Sequence, residues 1–210
     1  MAGKKKQGRS RRPEAVRQRV LDAALAEFMQ YGFEAANTNR VAERFRGAKT
    51  TIFRHYGNKR ELFLAVIERS IREGSKRLNL AGIPDTSPRE WLVAYSVAIL
   101  QWLLTDEMVF VANMADYHRR DFPEIVECFE RYGRHDHVPL LANRLRAWTA
   151  AGLLDVTDFR ADAEDLLSLV TVRLLNRRKF EGESRPSDAV LQRSAIRSVD
   201  LFLNGRSHRA

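Results

Sequence analysis

Between Lys49 and Lys59 the chain sets Lys49, Thr50, Thr51, Arg54, His55 and Lys59 within a short polar stretch. Side chains of these types suit contact with nucleic acid. Arg54 can hold a guanine bidentately, Thr50, Thr51 and His55 can reach base edges, and Lys49 and Lys59 can neutralise phosphates and set register. No catalytic constellation competes with this chemistry, because GxGxxG, P-loop, GxSxG and HExxH patterns are all absent. His135 and His137 invite a metal, but positions two apart on a helix face away from each other. No CxxC or carboxylate cluster accompanies them, so neither a metal site, a cofactor nor an enzymatic activity is expected.

The elements that must position these residues follow from spacing. Asn37 can cap a short helix in which Val41, Ala42 and Phe45 share a face. Arg46-Gly47-Ala48 interrupts it, and Gly47 is expected to take the positive φ of a tight reversal. A second helix from about Lys49 to Tyr56 should put Ile52, Phe53 and Tyr56 on one apolar side. Gly57 ends that helix, and Asn58 starts a longer one to about Asn79 carrying Leu62, Phe63, Val66 and Ile71. Ahead of them, Pro13 to Tyr31 repeats Val16, Val20, Ala24 and Phe28 every four residues, with Gly32 as the stop. Two short helices about a Gly-containing turn form a helix-turn-helix, whose second helix enters the DNA major groove. Thr38, at the start of the first short helix, joins the expected phosphate contacts. Residues 1–12, with six Lys and Arg and almost no apolar side chain, should form a disordered arm that pairs with phosphates or enters a minor groove.

Charge is distributed accordingly. Residues 1–60 hold 15 Lys and Arg against 5 Asp and Glu, giving +10, and residues 61–210 hold 21 against 22, giving −1. Positive charge confined to one end is the footprint of a polyanion-binding surface. Asp22 and Glu27 interrupt the polar side of the first helix, which disfavours a membrane-surface role. No apolar run is long enough to cross a bilayer. The lone Cys128 fits a reducing cytoplasm, and a regulatory thiol is the less common alternative.

Taken in order, Gly32-Phe33, Val41-Ala42, Lys49 to Tyr56 and Lys59-Arg60-Glu61-Leu62-Phe63 resemble the N-terminal signature of TetR-family transcriptional regulators. The resemblance implies an all-α fold: an N-terminal helix-turn-helix DNA-binding domain over 13–60, then a larger helical ligand-binding and dimerisation domain over 61–210. It also implies a homodimer that binds double-stranded DNA at a palindromic operator and is released by a small, largely apolar effector. A repressor is expected, although an activator would have the same sequence pattern. Two departures stand out. Ala48 replaces the hydroxyl that commonly caps the recognition helix, at a cost of about 1 kcal/mol. Phe53 replaces a usual Tyr, so that residue's phosphate contact is not carried over. Asp121-Phe122-Pro123-Glu124, with the Ala-Gly-Leu-Leu after residue 150, resembles the C-terminal half of one broad TetR subgroup.

Beyond a loop at Ala81 to Pro88, every segment has helical spacing. Helices are expected at Pro88 to Leu104, Asp106 to Arg119, Phe122 to Arg131 with Val138 to Ala151 as one kinked helix or two, Ala161 to Phe180, and Ser187 to Leu203. Trp91, Tyr95, Trp102, Phe110, Met114 and Trp148 are bulky and adaptable enough to wall an effector cavity, with Asn113, His118 and Arg144 as polar anchors. Core packing is the competing role for each aromatic. On the last two helices, Leu166, Leu167, Val170 and Leu174 and then Ala189, Ile196, Val199 and Leu203 form apolar faces. They serve either as core or, by the resemblance, as a four-helix dimer interface. A nonspecific DNA-coating protein and a small-molecule-binding helical protein with an incidental basic arm remain the alternatives.

Overall fold

The computed structural model describes residues 7–78, 82–83 and 87–205, with the backbone alone for 7–12 and 133–135. The described residues form helices and no strand. They divide into two compact units, Met1–Arg69 and Ser70–Ala210.

The first unit holds α1 (Gln7–Ala35), α2 (Thr38–Arg44), α3 (Lys49–Tyr56) and the first part of α4 (Lys59–Arg77). Gly32 breaks the end of α1 with φ 71° and ψ 178°, as its position after the apolar repeat predicts. The start of α1 differs from expectation, since helix begins at Gln7 and Pro13 lies inside it, withholding one backbone bond. Half of the expected arm is therefore helical, and residues 1–6 lie outside the described residues. Val20, Ala24 and Phe28 of α1 are buried with Val41, Ile52, Leu62 and Phe63. Phe28 meets Phe63 edge-on at 5.0 Å, and Phe33 packs on Phe63 at 4.9 Å. Such pairs add roughly 0.5–1.5 kcal/mol to the area they bury.

A carboxylate fixes the two halves of this unit. Glu27 is wholly buried, and its Oε1 accepts hydrogen bonds from the Asn37 backbone N–H at 3.0 Å and from Arg40 Nε at 2.7 Å. Arg44 Nε faces Oε2 at 3.6 Å. Asn37 in turn caps α2 by accepting from Asn39 N–H at 2.8 Å, so α1 and the start of α2 share one polar joint.

The second unit contains α5 (Pro88–Leu103), α6 (Asp106–Tyr117), α7 (Pro123–Phe129), α8 (His135–Ala150), α9 (Phe159–Phe180) and α10 (Asp188–Asn204). A five-residue π-type turn, Glu130–Arg134, joins α7 to α8, so the break expected between Arg131 and Val138 falls around Gly133 and Pro139 sits early in α8. Ser87 and Glu90 form a capping box that starts α5, Thr105 caps α6, and Asp158 caps α9. Leu92, Leu100, Leu141, Leu145, Ala163, Leu166, Leu191 and Val199 meet in one core. Arg89 on α5 clasps Asp200 on α10 through Nε at 2.6 Å and Nη2 at 3.0 Å. Half of the Ala81 to Pro88 loop, residues 81 and 84–86, lies outside the described residues.

Candidate nucleic-acid interface and effector cavity

α3 buries Ile52 and Tyr56 and leaves Lys49, Thr50 and Arg54 exposed, with Thr51 and His55 half-buried beside them. Phe53 differs from expectation. It is 38% exposed, and Lys49 Nζ lies 5.6 Å from its ring, so it belongs to the polar face and not to the core. On a helix Phe53 is turned about 100° from Ile52, and the core needed only the neighbouring stripe. Thr38, half-buried, opens α2, where free N–H groups favour a phosphate. Lys59 Nζ donates to the Glu34 carbonyl at 2.8 Å and stands 4.9 Å from the Phe33 ring. Its charge thus holds the segment after Gly32 as well as remaining near the surface.

The turn between α2 and α3 also departs from expectation. The residue with positive φ is Arg46, at 54°, and Gly47 is outside that region. Gly47 serves space instead: a Cβ there would lie 2.0 Å from the ring of Phe45, which folds over it. Arg19 on α1 donates to the Phe45 carbonyl and anchors the same turn. Ala48 stands at the N-cap of α3 with no side-chain hydrogen bond, as its lack of a hydroxyl dictates. The recognition face is therefore polar, partly open at its amino end, and mounted on a core that α1 supplies.

In the second unit a cavity of about 340 Å³ opens between α5, α8 and α9, lined by Ile99, Trp102, Leu103, Phe129, Val138 and Leu167, with His137, Ser168, Thr171, Glu130 and Glu164 as its polar members. Of the nine residues nominated from sequence, Trp102 lines it. Trp91, Tyr95 and Trp148 are instead packed on one another in the core, Trp91 stacked on Tyr95 at 5.2 Å and edge-on to Trp148 at 5.7 Å. Arg144 covers the Trp91 face at 4.9 Å. His118 is buried against Phe122 at 5.3 Å, and Phe110, Asn113 and Met114 are half-buried on α6, away from the cavity wall. His137, which the sequence offers only as half of an unconvincing metal pair, lines the cavity because it falls on the inward stripe of α8 with Leu141, Leu145 and Trp148. Burial pushes its imidazole below the ordinary value against a weaker pull from Asp136, so the ring is neutral near pH 7.

The residues expected at the dimer face divide by burial within the chain. Leu166, Val170, Leu174 and Val199 are buried within one chain and have almost no surface left to give a partner, while Leu167, Ile196 and Leu203 are half-buried against the same core and Ala189 is exposed. The large exposed apolar residues on these helices are Leu169 at 45%, Val172 at 50% and Phe180 at 73% on α9, and Leu201 at 56% on α10.

A helix-turn-helix with an exposed basic face, followed by an all-helical unit holding an apolar cavity, defines the class of DNA-binding helical regulators. The particular family is shown by comparison: residues 20–66 match the model for bacterial regulatory proteins of the tetR family, and residues 90–205 match that for the AefR-like transcriptional repressor C-terminal domain. The chain belongs to the TetR family, whose members regulate transcription and are not enzymes. It is 34% identical over 131 residues to the HTH-type transcriptional repressor SCO4008 of Streptomyces coelicolor, a match spanning 60% of this chain and 63% of that one. It is 28% identical over 187 residues to the repressor AcnR of Corynebacterium jeikeium, covering 85% and 90% of the two chains. Its fold matches a TetR-family regulator from Mesorhizobium loti with a TM-score of 0.82 at 20% identity, covering 93% of this chain and 98% of that one. It also matches the flavonoid-responsive regulator FrrA with a TM-score of 0.70 at 22% identity, covering 94% and 100%. No single helix among the described residues is long and apolar enough to cross a membrane.

Proposed function

We propose that the chain is a cytoplasmic, ligand-responsive transcriptional repressor that binds a palindromic operator as a homodimer and is released by a small, largely apolar effector. The observation that carries this reading is the exposed face of α3, with Lys49, Thr50 and Arg54 projecting from a helix whose other side is locked by Ile52 and Tyr56. A symmetric dimer places two such helices about 34–36 Å apart, in successive major grooves. Arg54 and His55 are assigned to bases with Thr50 and Thr51; Thr38, Lys49 and Lys59 are assigned to phosphates. Leu169, Val172 and Leu201 provide unburied apolar surface for the partner subunit, and the cavity beside Trp102 provides the effector site.

Mobility shift with the duplex upstream of the chain's own gene, against a shuffled duplex and at two salt concentrations, tests the reading. Arg54→Ala should lose about 1–3 kcal/mol of discrimination at one base position. Lys59→Ala should weaken every sequence alike and flatten the salt slope by about one. Equal losses on all duplexes for both variants would remove the base-reading role from Arg54.

A further inference from the structure

His137 is 4% exposed in the wall of the α5–α8–α9 cavity, and both of its ring nitrogens are engaged. The Tyr95 hydroxyl lies 3.0 Å from Nδ1, and the Ser75 hydroxyl lies 3.4 Å from Nε2. A neutral imidazole offers one N–H and one lone pair, and each hydroxyl can rotate to complement whichever it meets. The two contacts are unequal. Tyr95 is buried and stacked on Trp91, whereas Ser75 is half-buried near the end of α4, at the outer limit of hydrogen-bond distance. The residue before it makes a second junction with the cavity wall. A Cβ on Gly74 would lie 1.9 Å from Trp102 Nε1, so that indole closes directly on α4. Adjacent residues of α4 therefore each touch a side chain that lines the cavity, and α4 is the helix that starts at Lys59 beside the recognition helix in sequence.

The lining narrows the class of molecule admitted. Ile99, Leu103, Phe129 and Leu167 make the surface apolar, and Glu130 and Glu164 oppose an anion. Glu164 is already met by Arg160 at 3.3 Å, which weakens its call for a cation. Resting on the reading of this cavity as the effector site, we propose that the effector is an uncharged, largely apolar molecule bearing a hydrogen-bonding oxygen. That oxygen takes the place of Ser75 on His137 Nε2 and so detaches the end of α4 from the cavity wall. His137 is a positioning residue here, passing occupancy of the cavity to α4.

Isothermal titration of the full chain with four naphthalene probes tests the ligand class: 1-naphthol, naphthalene, 1-naphthoate and 1-naphthylmethylammonium. The wild type should bind 1-naphthol about 3- to 10-fold more tightly than naphthalene, the yield of one neutral hydrogen bond, and more tightly than either ion. His137→Phe should erase the difference between 1-naphthol and naphthalene. Ser75→Ala, a half-buried change that spares the core and stands even if His137→Phe does not fold, should bind 1-naphthol at least as well as wild type. In that variant 1-naphthol should weaken binding to the upstream duplex less than in wild type, the coupling factor falling towards one. Equal affinity of the wild type for 1-naphthol and naphthalene, tighter binding of either ion, or unchanged coupling in Ser75→Ala would overturn the proposal. Failure to bind any duplex would instead overturn the repressor reading, and the probe preferences would still decide the ligand class.

Discussion

Replacing Glu27 by glutamine probes the joint that holds the helix-turn-helix to α1. Glutamine keeps an acceptor for the Asn37 N–H but removes the charge that Arg40 and Arg44 face. The Arg40 bond then falls from a charge-assisted one, worth about 1.5–3 kcal/mol, to a neutral one worth about 0.5–1.5 kcal/mol. The loss is roughly 1–2 kcal/mol, towards the lower end because both guanidinium side chains are 38% exposed and recover water. In a unit of this size that lowers the melting midpoint by roughly 5–10 °C. Glu27→Ala also strands the Asn37 N–H and should cost about 1–3 kcal/mol more. The pH dependence gives a second handle. Burial raises the Glu27 pKa, but the hydrogen bonds from Arg40 and Asn37 and the charges of Arg40 and Arg44 together outweigh it and hold the carboxyl below its ordinary value of 4.5. The stability from its charge is therefore present above that value and is lost as pH falls towards the depressed one. Calorimetry of the full chain from about pH 7 down to about pH 3 should show the gap between wild type and Glu27→Gln closing at the acid end. A glutamine variant melting within about one degree of wild type at pH 7, or a gap unchanged in acid, would refute the assignment of a working charge to Glu27.

Other outcomes follow from the same structure. Arg46→Gly should stabilise the first unit by about 1 kcal/mol in urea unfolding by relieving a left-handed residue, while Gly47→Ala should destabilise it by forcing the Phe45 ring aside. Leu201→Arg should shift the sedimenting species towards a single subunit while leaving the melting curve of the core little changed; Leu166→Ala should instead cost about 2–5 kcal/mol of stability. Because burial depresses His137 below its ordinary 6.5, the stability it contributes is present above that pH and is lost as pH falls. Wild type should therefore lose stability below about pH 6.5 with an added slope of at most about 1.4 kcal/mol per pH unit, and His137→Gln should lack that component. Identical slopes would remove His137 as the cause.

The architecture was legible where one residue type had one physical use. Asn37, Gly57 and Asn58 mark helix ends because short polar and flexible residues suit those positions, and Ile52 with Tyr56 mark the buried side of α3 by spacing. Phe53 was misplaced because periodicity cannot decide between adjacent residues when both are apolar. Gly47 is visible in sequence as a turn residue, but its reason is not, since only the folded Phe45 ring reveals that the missing Cβ matters for space. On α9, Leu166, Leu167, Leu169, Val170, Val172, Leu174 and Leu175 surround the helix, and such a pattern does not say which side faces inward. The aromatic residues of α5 and α8 were visible, but their mutual stacking, which takes Trp91, Tyr95 and Trp148 away from the cavity, is a tertiary fact.

The missing hydroxyl at residue 48 has a thermodynamic consequence. The N-cap of α3 offers no side-chain hydrogen bond to the opening amides, so a duplex phosphate placed there would find unclaimed donors. A duplex phosphate seated on that turn would then make the first side-chain-independent cap of α3, and part of the heat of association would come from satisfying amides that the chain leaves without a hydroxyl of its own.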